Sequence, residues 1–145
     1  MMQTAINTKE VIHIATQNNL FDSLQDIQRV SRLFETLEQK DWLKTYGIYS
    51  KAGELISSAV FVYSHNRAYY ILVGNHPNGR TLGASHALID AFIQDHAGQN
   101  LILDFEGSDI RNLAFFYSSF GAVEENYPAI RENRLPWYLK WIKGN

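Results

Sequence analysis

The chain predicts an α+β fold, a central mixed and mostly antiparallel sheet flanked by helices, and three observations carry that reading. Three β-branched and aromatic runs, at 46–49, 55–63 and 67–74, follow one another with only short polar turns between them. Such runs pair as an antiparallel meander. A glycine-bearing turn then leads into an amphipathic helix, and Leu101-Ile102-Leu103-Asp104-Phe105 follows that helix as a further strand. A strand reached through a helix returns parallel to an earlier neighbour, which makes the sheet mixed.

Taken in order, Val11-Ile12-His13-Ile14-Ala15 alternates briefly and reads as a short strand or arm. Ser23-Leu24-Gln25-Asp26 has the form of a helix start, a hydroxyl followed three residues on by a carboxylate. Leu24, Ile27, Val30, Phe34 and Leu37 then recur at helical spacing, with Leu33 widening the stripe, and the helix should end near Lys40. Lys51-Ala52-Gly53-Glu54 and Ser64-His65-Asn66 suit hairpin turns. The strands at 55–63 and 67–74 are apolar on both faces, so they should be central and covered on each side. Leu82, Leu88, Ile89, Phe92 and Ile93 form the stripe of the next helix, with Gly98 as its terminator. The run at 101–105 should be a buried strand. Ser108 and Asp109 can cap a helix that carries Ile110, Leu113, Phe116, Tyr117 and Phe120 and stops at Gly121. In the tail, Trp137, Leu139 and Trp141 alternate onto one face, as in a last strand.

A length of 145 residues suits one domain spanning 1–145, and 46% hydrophobic with 19% charged residues is the balance of a folded protein. The formal net charge of -2, without a long basic run, argues against a nucleic-acid partner. Cysteine is absent, which removes disulfides, thiolate metal sites and a cysteine nucleophile. The start of the chain lacks an export signal and no apolar run approaches bilayer length, so no membrane insertion and a cytoplasmic location are expected. His13, His65, His76, His86 and His96 are scattered without metal-ligand spacing, and no Gly-x-Ser-x-Gly elbow is present.

Function points to Asn78-Gly79-Arg80-Thr81-Leu82-Gly83-Ala84-Ser85-His86, a turn of small residues between a strand and a helix. Unpaired first-turn N–H groups and the positive end of the helix dipole would converge there on an anion, phosphate above all. The plainer alternative is that the glycines only let the chain turn. Asp104 and Glu106 alternate onto one strand face, with Phe105 opposite; either is a candidate general base or an ordinary ion-pair partner. His76, between strand and turn, is a second candidate base or a surface loop residue.

At these residues the sequence resembles the GNAT acyltransferase superfamily. Arg80-Thr81-Leu82-Gly83-Ala84-Ser85 is similar to its CoA-binding pattern Gln/Arg-x-x-Gly-x-Gly/Ala, departing at Ser85. Tyr117-Ser118-Ser119-Phe120-Gly121 is similar to its Tyr-x-x-x-Gly-Phe, with Ala122 in the last place and Ile110 where members often carry an asparagine, Asn112 being nearby. Asp104–Ser108, Phe120–Ala122, Tyr127-Pro128 and Asn133–Pro136 resemble the C-terminal half of FemAB-like proteins. The resemblance implies a GNAT-like fold and a co-substrate, acetyl-CoA or another acyl-CoA. It implies that backbone amides from Gly79, Arg80, Thr81, Leu82, Gly83, Ala84 and Ser85 hold the pyrophosphate, and that the strand through Leu72 and Val73 pairs with the pantetheine arm. Tyr117 would protonate the leaving thiolate, or else serve as a core aromatic. The acceptor would be a small-molecule or peptide amine. A homodimer, a non-catalytic GNAT-like binding or dimerisation module, and a FemAB-like aminoacyltransferase half are the other readings.

Overall fold

The computed structural model describes residues 1–76, 83–107, 110–126, 128 and 130. Its elements run β1 (Met2–Thr4), α1 (Thr8–Gln17), α2 (Leu24–Glu38), β2 (Leu43–Tyr49), β3 (Leu55–Ser64), β4 (Arg67–Asn75), α3 (Ala84–Asp95), β5 (Ile102–Asp104) and α4 (Arg111–Ser118). The sheet order is β1-β2-β3-β4-β5; the first four strands are antiparallel, and β5 lies parallel to β4 with Arg67 opposite Ile102 and Tyr69 opposite Asp104. This is the α+β mixed sheet that the sequence predicts. Both hairpin turns form as expected. His65 and Asn66 take φ of 51° and 59°, the left-handed pair that matches the twist of two antiparallel strands.

One expected strand is a helix. Residues 11–15 lie within α1, which opens where Asn7 Oδ1 accepts the Lys9 N–H at 2.9 Å. Thr8, Val11, Ile12 and Ala15 are buried at three- and four-residue steps, so the helical period wins over an alternation too short to specify a strand. β1, three residues long, carries no pattern that marks it in the sequence. α2 starts at the expected cap, Ser23 Oγ accepting the Asp26 N–H at 3.2 Å. Leu24 and Leu33 are 78% and 52% exposed, however, so the buried stripe is narrower than expected.

The strands β3 and β4 are covered on both faces, and alternation along β3 separates two cores. Phe61 joins Tyr46, Tyr70, Leu88, Ile89 and Phe92 under α3, its ring stacked on Phe92 at 3.9 Å. Val60 joins Val11, Ile12, Phe34 and Leu43 under α1 and α2. Gly74 lets α1 lie directly on β4: a Cβ there would collide with Ile14 and come within 2.9 Å of Ser58 Oγ. That hydroxyl is fully buried and makes no hydrogen bond among the described residues. Ser58→Ala removes a desolvated group that gains nothing from the fold, so thermal unfolding should show a stabilisation of about 1 kcal/mol, a rise of roughly 3 °C in Tm. A fall in Tm would mean that the hydroxyl is satisfied.

β5 departs from the buried strand expected, since Ile102 is 53% exposed. After it, Ile110 occupies the N-cap position of α4 and is itself exposed, while the expected caps Ser108 and Asp109 lie outside the described residues. Gly98 and Gly121, with φ of 79° and 80°, take the left-handed conformations expected of residues that follow helices. The tail strand expected at 136–143 also lies outside the described residues.

Candidate active site

The site is a fork in the sheet. β5 pairs only with Arg67 to Tyr69, so from Tyr70 to Asn75 the same edge of β4 has no partner strand among the described residues. Within this stretch the β3–β4 register shifts: Val60 faces Leu72 and Phe61 faces Tyr70, leaving Ile71 as the extra residue of a β-bulge. A bulge turns backbone groups away from the ladder and bends its strand outward. Leu72 packs towards α1 and α2, Val73 towards α3.

Beside the tip of β4, Gly83 has a φ of 64° and a ψ of 26°, which place it in the left-handed region at the N-cap of α3. Glycine holds that conformation without strain. The Gly83 carbonyl accepts the His86 and Ala87 N–H groups at 3.1 and 3.2 Å, and among the described residues the first-turn amides of Ala84 and Ser85 have no acceptor, as is usual at a helix start. Ala84 is buried, and Ser85 Oγ donates to Asn75 Oδ1 at 2.8 Å. The other expected cradle residues, Gly79, Arg80, Thr81 and Leu82, lie outside the described residues.

α4 closes over the fork. His86 meets Phe116 at 4.5 Å and Phe120 at 5.5 Å between ring centroids, which fastens the start of α3 to α4. Tyr117 stacks on Phe105 at 4.4 Å and turns its edge to Tyr70 at 6.4 Å. Burial, and then the nearby Glu106 charge, push the Tyr117 phenol above its ordinary range, so it stays protonated as a donor must. Phe105, just past the end of β5, turns its ring to Tyr70 at 5.8 Å, and Glu106 follows it close enough to Tyr117 for its charge to act on the phenol. Glu106 and Tyr117 also line one concavity of about 1200 Å³ beside β5.

The two carboxylates have different fates. Asp104 is committed to structure, accepting from Arg67 at 2.9 Å and from the Glu106 N–H at 2.8 Å; Arg67 also reaches Glu125 at 3.3 Å. The alternation expected through Glu106 stops at Asp104, because Glu106 adopts φ of 60° and leaves the strand. His76 extends the β3–β4 ladder, its N–H donating to the Ile56 carbonyl at 3.0 Å. It lies five residues past the bulge, roughly 16 Å at about 3.3 Å per residue. His76 thus follows the end of β4 away from the Arg67–Tyr69 stretch that pairs with β5, the strand that leads to Glu106. Asn112 is exposed in the first turn of α4. Among the described residues no three His, Asp or Glu side chains gather as a metal site requires, and no helix is long and apolar enough to cross a membrane. The bulge at Ile71, Tyr70 beneath Tyr117, and Asn75 are parts of the site that the sequence reading missed, since each sits in a run that reads as plain strand.

A sheet whose fourth and fifth strands part, with one helix starting beside the tip of the fourth and another closing over the fork, is the layout of the GNAT fold. Residues 1–109 match the acetyltransferase (GNAT) domain, and the chain belongs to that family. Solved structures agree on the fold. A predicted acetyltransferase of Clostridium acetobutylicum, crystallised with acetyl-CoA, superposes with a TM-score of 0.67 at 12% identity over 92% of this chain and 96% of its own. The ribosomal-protein-alanine N-acetyltransferase of Brucella melitensis gives 0.60 at 13% over 92% and 99%. The aminoglycoside 6'-N-acetyltransferase of Acinetobacter baumannii gives 0.65 at 11% over 94% and 100%. A comparison with curated proteins finds no significant match.

Proposed function

We propose that the protein transfers an acyl group from acyl-CoA, acetyl-CoA foremost, to the amine of a small molecule or peptide. One observation carries this reading: the edge of β4 that has no partner strand among the described residues runs from the bulge near Tyr117 to a glycine-started helix, a track for an extended arm ending in a phosphate. The residues present fit that ligand. Val73 and its neighbours offer strand-edge N–H and C=O groups to the pantetheine amides, and Gly83, Ala84 and Ser85 offer first-turn geometry to the pyrophosphate. On the sequence pattern Gly79, Arg80, Thr81 and Leu82 complete the cradle, with Arg80 adding charge.

In the reaction, the acceptor nitrogen forms a bond to the thioester carbonyl carbon and the carbon–sulfur bond breaks. Backbone N–H groups at the bulge would stabilise the oxygen as charge develops. The Tyr117 phenol would donate its proton to the departing sulfur, and the ammonium proton would pass to Glu106, which lines the same concavity as Tyr117. Glu106 suits this role better than His76 because of that position. Within the family, the resemblance at Asp104–Ser108 and Phe120–Ala122 favours the FemAB-like branch.

Acetyl-CoA at a hundred times its Kd should stabilise the fold by about 2.7 kcal/mol, a rise of several degrees in Tm. An amine panel should then release CoA thiol. No thermal shift and no heat in calorimetry would sink the proposal. Binding without thiol release would instead make the chain a GNAT-like binding or dimerisation module.

A further inference from the structure

We propose that Asn75 is a positioning residue for the CoA cradle, setting the first turn of α3 against the end of β4 through Ser85. The inference rests on the acyl-CoA reading above. Asn75 is the last residue of β4 and is half-buried. Its Oδ1 accepts from Ser57 Oγ at 2.7 Å and from Ser85 Oγ at 2.8 Å, using both lone pairs of the amide oxygen. Ser57 is fully buried in β3, so one end of this junction is anchored in the sheet. The Asn75 backbone carbonyl accepts from Asn18 Nδ2 at 3.1 Å, and the same amide donates to Ile14 O at 2.9 Å. One residue thus joins β3, β4, the end of α1 and the start of α3.

The placement of the junction carries the argument. Asn75 ends β4 and Ser85 lies in the first turn of α3, so their hydrogen bond ties the start of the helix to the tip of the strand. With Gly83 fixing the backbone direction on entry, the Ser85 side chain fixes the height and rotation of the first helical turn. The N–H groups of that turn are the ones a pyrophosphate would meet. Where the family pattern has glycine or alanine at this position, this chain has a hydroxyl and an amide oxygen to receive it. Ser85 and Asn75 therefore act as a pair, and the departure at Ser85 gains a purpose. A leucine at 75 would leave both hydroxyls without their acceptor.

The test uses calorimetry with CoA and steady-state kinetics on the full chain for the wild type, Ser85→Ala, Ser85→Thr and Asn75→Leu. Ser85→Ala and Asn75→Leu should each raise the Kd for CoA and the KM for acyl-CoA by about tenfold, the loss of one well-placed hydrogen bond. The value of kcat at saturation should fall less than threefold, and the acceptor KM should hold. Ser85→Thr, which keeps the hydroxyl, should bind CoA within threefold of the wild type. A merely structural role would lower Tm in all variants without dividing KM from kcat or yielding to threonine. Should Asn75→Leu fail to fold, Ser85→Ala alone decides. Wild-type CoA affinity in Ser85→Ala, or equal losses in kcat and KM, would overturn the positioning role and leave the acyl-CoA reading standing. No CoA binding by the wild type would overturn both.

Discussion

Phe61→Ala should lower stability by about 3–5 kcal/mol, the usual cost of emptying a buried phenylalanine site. Few core positions are better placed to show it. Phe61 has no exposed surface, stacks on Phe92 at 3.9 Å, and meets Tyr46 at 5.4 Å and Tyr70 at 5.3 Å. Removing the ring leaves a void bounded by the sheet on one side and α3 on the other, neither of which can collapse without breaking strand register. Against a total stability of about 5–15 kcal/mol for a domain, the variant should unfold at a much lower urea midpoint with a similar m-value. Phe115→Ala is the control: its ring is 76% exposed, and the change should stay within about 0.5 kcal/mol. A loss below 2 kcal/mol at Phe61 would show that the core repacks.

Tyr117→Phe should lower kcat by about a hundredfold, the lower end of what a positioned acid contributes, with the KM for acyl-CoA nearly unchanged. The ring contacts with Phe105 and Tyr70 do not involve the hydroxyl, so the fold should persist. The pH profile gives a second readout. Burial and the Glu106 charge raise the phenol's pKa, which favours the neutral form. The donor therefore survives past the pH at which an ordinary tyrosine ionises and is lost only as pH rises through the elevated value. The wild type should show its phenol-dependent decline in kcat on that far alkaline side, and Tyr117→Phe should lack it. An unchanged kcat would reduce Tyr117 to a packing residue.

The fold was legible because its strongest signals are local. The β-branched runs of β3 and β4, the Ser23 cap and the Gly53 and His65-Asn66 turns each specify their element within a few residues. α1 was misread because a run of five residues, four of them apolar, fits either period, and the choice falls to what they pack on, here Gly74 and β4. The carboxylates were half legible. Their residue type and spacing could be read, but Arg67, thirty-seven residues away from Asp104, decides that Asp104 is a structural ion-pair partner.

By itself, the sequence determined an α+β mixed sheet, a helix started by glycine after the fourth strand, and the tyrosine of the last described helix, since periodicity, turn chemistry and short motifs are properties of neighbouring residues. Only the tertiary structure decided where the sheet forks, that Ile71 is the bulge, that Glu106 shares a concavity with Tyr117, and that Ser85 is tied to Asn75. Those facts depend on strand register and on hydrogen bonds between residues distant in the chain or on separate elements. No local pattern encodes them, because each is settled by the partner that packing brings into reach.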